Sequence, residues 1–138
     1  MKIGTAVMML AGVLVALPAM AQTRERQKES LEGYLPYAGE PVDRFQFWGL
    51  KQWELVDTDK VVVWPRLNQA FLLTVDKPCS ELEWTQSISV TSTTNTVSRG
   101  FDSVKAGRDT CRINEIRPID IKKYRVDRDQ AKKSAADS

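Results

Sequence analysis

The fold of this chain is decided by residues 53–75, WELVDTDKVVVWPRLNQAFLLTV. Two apolar runs, Val61–Trp64 and Ala70–Val75, each follow a turn signal, first Asp57-Thr58-Asp59 and then Pro65–Asn68. Runs of β-branched and aromatic residues that are bounded in this way are typical of consecutive antiparallel strands. The stretch therefore predicts a three-strand meander. Because neither run alternates with polar residues, we expect both faces of these strands to be covered.

The segments on either side of the meander continue the β pattern. Apolar and polar residues alternate in residues 42–47, in residues 87–91 and again in residues 111–121, which close the ordered part. Ser80–Glu83 fits a capping box and predicts one helical turn. Turn signals recur about every 8 to 12 residues and no long helical period intervenes. The sequence thus predicts a mainly β (or α+β) fold, either a small antiparallel barrel or a curved sheet with short helices.

The first 21 residues have the layout of a secretory signal peptide. Met1-Lys2 is positively charged, Ile3–Leu17 carries no charge, and Ala19-Met20-Ala21 offers the small residues that a signal peptidase recognises. The apolar segment is shorter than the roughly 20 residues that span a bilayer, which argues against a membrane anchor. We therefore expect export to the periplasm or beyond, with cleavage after Ala21 and no membrane span in the mature chain.

The remaining chain divides into three parts. Residues 22–33 form a charged lead-in, which is interpreted as a solvated terminus, although a short amphipathic helix is an alternative. Residues 34–121 form a single β-rich domain. Residues 122–138 hold six basic and three acidic side chains and predict a frayed helix followed by a disordered tail. This basic tail could contact anionic lipid or polysaccharide, but the interrupting acids favour a solvated tail.

Composition removes several classes of function. The 138 residues include no His and carry a formal net charge of only +2. Without imidazole, Ser-His-Asp and Cys-His nucleophile systems and ordinary zinc or haem sites are excluded. The near-neutral balance argues against a nucleic-acid partner, since a protein that follows a phosphate backbone needs many cations. The sequence contains no recognisable cofactor motif, so no cofactor is predicted.

Four residues are candidates for a binding or structural role. Arg117 and Asp120 lie three apart in an apolar segment, where they predict an inward ion pair that is either structural or contacts a ligand. Asp102 is the further carboxylate that a small hydrolase could use with them. Trp64 lies beside Pro65 at a predicted strand end and could be exposed for stacking. Other acid pairs, such as Asp57 with Asp59, are explained by turns.

The order of these features resembles an uncharacterised family of small exported proteins from Gram-negative bacteria, a domain of unknown function. The likeness covers about Tyr34 to Asp120, and its most specific parts are the Cys79 element and the block from Cys111 to Asp120. It implies an exported single domain with two paired cysteines, and it implies no activity, cofactor or catalytic residue. The residues that carry the resemblance are Tyr37–Val42, Trp53, Val61–Trp64, Asn68–Leu73, Cys79, Ile88–Ser92, Asp102–Val104 and Cys111–Asp120.

The two cysteines predict a disulfide. Cys79 and Cys111 are the only cysteines in the chain, and an exported protein is in a compartment where disulfides persist. Each follows or precedes an apolar strand, which suits a link between neighbouring strands. The alternatives are a redox-active pair, which usually has Cys-x-x-Cys spacing, and a thiol that forms a dimer.

Three functional hypotheses remain open. The first is a non-enzymatic binding or interaction module in the envelope, with a protein or a small ligand as its partner. The second, a special case of the first, is an inhibitor or immunity protein against a secreted hydrolase. The third is a small carboxylate-dependent hydrolase, and it requires Asp102, Arg117 and Asp120 to converge in one cleft.

Overall fold

The computed structural model of the chain describes residues 19–137 together with Gly4 and Gly12, and it describes side chains from Thr23 onward. Most of the predicted signal peptide, residues 1–21, therefore lies outside the described residues. Short 3-10 helices cover Leu35–Tyr37 and Ser80–Glu83. The other elements are α1 (Ala19–Tyr34), β1 (Arg44–Gln46), β2 (Gln52–Asp57), β3 (Lys60–Arg66), β4 (Gln69–Val75), β5 (Ile88–Val90), β6 (Thr96–Ser98), β7 (Ser103–Ala106), β8 (Asp109–Ile119) and α2 (Ile121–Ala136).

Six strands form one antiparallel sheet in the order β2-β3-β4-β8-β7-β5, and β1 pairs with β6 in a second sheet. The predicted meander is β2, β3 and β4, and that prediction is confirmed. β8 is long enough to pair with β7 along its first part and with β4 along the rest. The six-strand sheet curls strongly into a half-barrel, which confirms the predicted mainly β class with a curved sheet and short helices.

Both faces of the meander are covered, as its unbroken apolar runs predict. On one face, a core lies against the β1–β6 sheet, where the rings of Phe45 and Phe71 stack with their centroids 4.2 Å apart. On the other face, alternate residues of the same strands, such as Val62 and Leu72, pack in a second core against residues of α1 and α2. A fully buried aliphatic or aromatic side chain contributes about 1.5–3 kcal/mol, so both layers stabilise the fold.

The two ends of the chain are helical in the described residues. α1 is attached through Leu31 and Tyr34, which belong to the second core. α2 begins at Ile121, where the side chain of Asp120 accepts a hydrogen bond from the Lys123 backbone N–H at 3.2 Å. From residue 128 to residue 137 every residue of α2 and its C-cap is exposed. The segments expected to be a solvated lead-in and a frayed tail are thus helices, each anchored by a few apolar residues near one end.

None of the helices among the described residues has the length and hydropathy that a bilayer crossing requires.

The predicted helical turn at Ser80–Glu83 is a 3-10 helix, but the predicted capping box is wrong. Cys79 occupies the N-cap and makes no side-chain capping bond. Instead, the Glu81 N–H donates to Asp109 Oδ2 at 2.9 Å, and the Glu81 carboxylate accepts from the Arg108 backbone N–H. The β7–β8 hairpin therefore bonds to Glu81, a residue that the capping-box pattern of Ser80 and Glu83 does not use.

Candidate functional site

Arg117 and Asp120 have different partners and make no ion pair with each other. Arg117 Nε donates to the carbonyl of Gly39 at 2.9 Å, and its Nη2 lies 3.5 Å from the carbonyl of Ala38. Asp120 caps the first turn of α2. Arg117 therefore holds the segment before β1 against β8, and Asp120 starts a helix.

Asp102 is buried, with 2% of its surface exposed. Its Oδ1 accepts from the Thr91 hydroxyl at 2.8 Å, and its Oδ2 accepts from the Ser98 N–H at 2.7 Å. The Asp102 carbonyl accepts a hydrogen bond from the Ile113 N–H. Asp120 lies seven residues beyond Ile113, and at the rise of a strand this places Asp120 roughly 20 Å from Ile113 and its partner Asp102. The hydrolase hypothesis needs these carboxylates to converge, and this geometry does not support it.

The disulfide between Cys79 and Cys111 is confirmed, with a Cα–Cα distance of 5.9 Å. Both residues are buried, at 5% and 4% exposure. Together with Asp109 they form a group that has the composition of a metal site. Because both sulfur atoms are bonded to each other, neither is the thiolate that a metal requires. This group therefore has a structural role.

The chain has three tyrosines, and all of them meet where α1 ends and α2 begins. Tyr34 stacks on Tyr124 at 4.8 Å between centroids, and Tyr37 meets Tyr124 edge-on at 5.5 Å. The Tyr34 hydroxyl donates to Glu54 at 2.7 Å, and burial together with this bond raises the pKa of Tyr34. The Tyr37 hydroxyl donates to Asp127 at 2.6 Å, which raises the pKa of Tyr37. Both phenols are therefore neutral hydrogen-bond donors at physiological pH.

Trp64 belongs to the same region. It is 6% exposed, and its ring meets that of Tyr34 edge-on at 6.0 Å. The residue predicted as a candidate for stacking thus lies in the second core, beneath the tyrosines.

A groove of about 610 Å³ opens from the tyrosines between α1 and α2. We call it the interhelical groove. Its volume lies within the range of about 300–1,000 Å³ that small-molecule sites occupy. It is lined by Arg26, Glu29, Ser30 and Gly33 of α1, by Tyr37, and by Tyr124, Asp127, Arg128 and Ala131 of α2.

The charged side chains of the interhelical groove are only partly engaged. Arg128 Nη1 donates to the Tyr124 hydroxyl at 2.7 Å, and its guanidinium lies 5.3 Å from the centre of that ring. Asp127 uses one oxygen to accept from Tyr37. Arg26 and Glu29, on the opposite wall, make no hydrogen bond or ion pair with any side chain that the structure describes. The groove therefore presents cations, anions and aromatic rings that are available to a ligand.

Sequence reasoning missed the interhelical groove because it treated both walls as solvated segments. A signal is present nonetheless. The lining residues of α1 fall at positions 26, 29, 30 and 33, and those of α2 at 124, 127, 128 and 131. Each set has the spacing of one helical face, but its members are polar or small, so no apolar stripe marks them.

No curated protein and no solved structure matches the chain. A family model matches residues 2–135 and so includes both helices and nearly the whole sequence. The chain belongs to the family of unknown function DUF6491.

Proposed function

We propose that the protein is an exported, non-enzymatic binding module that holds its ligand in the interhelical groove. The observation that carries the proposal is the pair of unpartnered charges, Arg26 and Glu29, which line the α1 wall of a groove of ligand size. Surface side chains that make no structural contact are free to bind a partner without a cost to the fold.

The absence of His from the sequence supports a role without catalysis. The carboxylates that an acid–base enzyme would use are engaged in structure, since Asp102 accepts two hydrogen bonds in a buried turn and Asp120 caps α2. A carboxylate that is buried in a turn or that caps a helix is poorly placed to exchange protons with a substrate.

Export of the protein rests on the signal-peptide pattern of residues 1–21 and is supported by the disulfide, because such bridges persist in oxidising compartments. The measurement is the intact mass of the protein recovered from the periplasmic fraction. We expect a chain that begins at Gln22 with both cysteines oxidised. A chain that retains Met1 and stays in the cytoplasm would contradict export.

Binding in the interhelical groove is tested with isotope-labelled protein and an envelope extract of the cells that make it. The extract is divided by dialysis into small-molecule and macromolecule fractions, and amide NMR signals are recorded with each. We expect one fraction to shift the amide signals of Gly33 and Ala131, which line opposite walls of the groove.

Two variants provide the matched control. Ala131→Trp places a large side chain in the groove and is expected to abolish the shifts. Gln130→Trp places the same side chain one residue earlier, at an exposed position outside the groove lining, and should leave them unchanged. Shifts that persist in Ala131→Trp, or the absence of shifts with both fractions, would contradict the proposal.

A further inference from the structure

The six-strand sheet ends in two edge strands, β2 and β5, and only β2 is protected. Natural proteins protect such edges with charged side chains, proline, bulges or a covering helix. β2 carries Glu54 and Asp57, and α1 packs against it. β5 pairs with β7 without a register shift and has no proline, and it belongs to a stretch, residues 84–98, that carries no charged side chain. The β5 edge is therefore open to another strand.

The backbone groups at the open edge belong to Ile88 and Val90. In an antiparallel pair, residues whose N–H and C=O point to the neighbouring strand alternate with residues whose groups point away. The Thr91 N–H donates to the Ser103 carbonyl of β7 at 2.9 Å, so Thr91 and Ser89 direct their backbone groups toward β7. Ile88 and Val90 direct theirs away from it, and none of the described residues bonds to these four groups.

This edge is complementary to a second copy of itself. When the two copies of β5 lie antiparallel with Ser89 opposite Ser89, Ile88 of each copy lies opposite Val90 of the other. Because Ile88 and Val90 are the residues with free backbone groups, this register forms four N–H···O bonds. Their side chains pack against the core on one face of the sheet, and Ser89 is exposed on the other. The register thus places apolar side chains beside apolar ones and hydroxyls beside hydroxyls, as favourable cross-strand pairs require.

We propose that the chain forms a symmetric dimer through β5, in which two six-strand sheets join into one. Lys105 of β7 lies directly opposite Ser89. In the dimer the two Lys105 residues are three strand spacings apart, about 14 Å, which exceeds the Debye length of about 8 Å at physiological ionic strength. These charges therefore do not oppose the pairing. The dimer surface shares no residue with the lining of the interhelical groove, so it goes beyond the proposed function.

The shortness of β5 makes this dimer weak. Three residues supply four hydrogen bonds, whereas stable interfaces bury about 1,200–2,000 Å² and carry about ten. The protein should therefore be monomeric in dilute solution. Sedimentation equilibrium of the mature chain, residues 22–138, is expected to give an apparent mass that rises from one chain toward two as the concentration is raised to about 1 mM.

Cysteine substitutions test the register of the two strands. Ser89→Cys places a thiol on the twofold axis, where the Cβ atoms of opposite residues are about 4.5–5.5 Å apart, close enough for a disulfide. Ser87→Cys places a thiol on the same exposed face, but its two copies are four residues apart along the strands, about 13 Å. Under mild oxidation, Ser89→Cys should form a linked dimer more than about tenfold faster than Ser87→Cys.

A matched pair of charge variants tests the affinity. Ser89→Glu and Thr110→Glu each add a carboxylate at an exposed position directly opposite Lys105, from β5 and from β8. Both variants therefore gain the same attraction within one chain. Only in Ser89→Glu do two added carboxylates face each other across the twofold axis, and like charges that lie directly opposite are unfavourable. We expect Ser89→Glu to weaken dimerisation at least about fivefold and Thr110→Glu to leave it unchanged.

The proposal is overturned if the wild-type chain keeps the mass of one chain up to about 1 mM. It is equally overturned if Ser87→Cys links as fast as Ser89→Cys, or if Ser89→Glu dimerises as well as Thr110→Glu, since the chains would then associate through another surface. Urea unfolding of each variant confirms that it is folded, and the wild-type measurement decides the question of dimerisation without any substitution.

Discussion

Opening the Cys79–Cys111 disulfide is expected to destabilise the protein by about 3.7 kcal/mol. The two residues are separated by 32 positions in the sequence. By the chain-entropy relation, a link across a loop of this length removes roughly 12 cal/mol/K from the unfolded chain, which is about 3.7 kcal/mol at 25 °C. Since whole domains are stable by about 5–15 kcal/mol, the reduced protein should still fold but with a much smaller margin.

The loss of stability should come from the greater entropy of the unfolded chain, because other contacts hold the folded chain together around the Cys79–Cys111 disulfide. Leu82, three residues after Cys79, is 1% exposed. The Glu81 N–H bonds to Asp109, two residues before Cys111, at 2.9 Å. These contacts keep the 3-10 helix on the β7–β8 hairpin when the sulfur atoms are no longer bonded.

Urea unfolding followed by tryptophan fluorescence measures the change. With an m value of about 2 kcal/mol/M, the midpoint should fall by about 2 M when reductant is added. The double variant Cys79→Ala/Cys111→Ala should unfold at a similarly low midpoint, and reductant should have no effect on it. A fall of less than about 0.5 M in the wild-type protein would refute the reasoning, as would two free thiols in the untreated protein.

Three further substitutions test individual contacts by the same urea assay. Gly107→Ala should destabilise by about 1 kcal/mol more than Gly49→Ala, because Gly107 has a φ of +58° and a Cβ there would meet the carboxylate of the facing 3-10 helix, whereas the space around Gly49 is open. Asp102→Ala should cost about 2–3 kcal/mol, since it leaves buried donors unpaired, and Asp43→Ala, which removes one partner of an exposed ion pair with Arg99, should cost less than about 0.5 kcal/mol. Because the pKa of Tyr34 is raised in the folded protein, Tyr34 contributes stability that is present below its ordinary value of 10.0 and is lost as the pH rises above it. The urea midpoint of Tyr34→Phe should therefore fall less steeply than that of the wild-type protein as the pH is raised through 10.0. Equal losses within either pair of variants, or an unchanged pH slope in Tyr34→Phe, would contradict these expectations.

The meander and the disulfide could be predicted from the sequence because their signals are local or arithmetical. An unbroken apolar run such as Val61–Trp64 has no solvent face, so it requires a layer on each side, and the structure supplies both. A chain with two cysteines has only one intramolecular pairing. Neither inference needed knowledge of which distant segments meet.

The candidate site could not be predicted because it depends on contacts between distant residues. Tyr34 and Tyr124 stack although 90 positions separate them, and no local pattern announces that contact. The same holds for Arg117, whose hydrogen-bond partners are the carbonyls of Ala38 and Gly39 rather than the nearby Asp120. An opposite charge is often close to a charged side chain in the sequence, but the fold decides which polar group is close enough to form a hydrogen bond with it.

Photo-crosslinking inside living cells tests the central claim, ligand binding in the interhelical groove, most directly. A photo-crosslinking amino acid is placed at position 131, within the groove lining, or at position 130, outside it, and the protein is recovered from the cells after illumination. The account predicts an adduct of defined mass at position 131 and none at position 130. The same adducts at both positions, or no adduct at position 131, would contradict it.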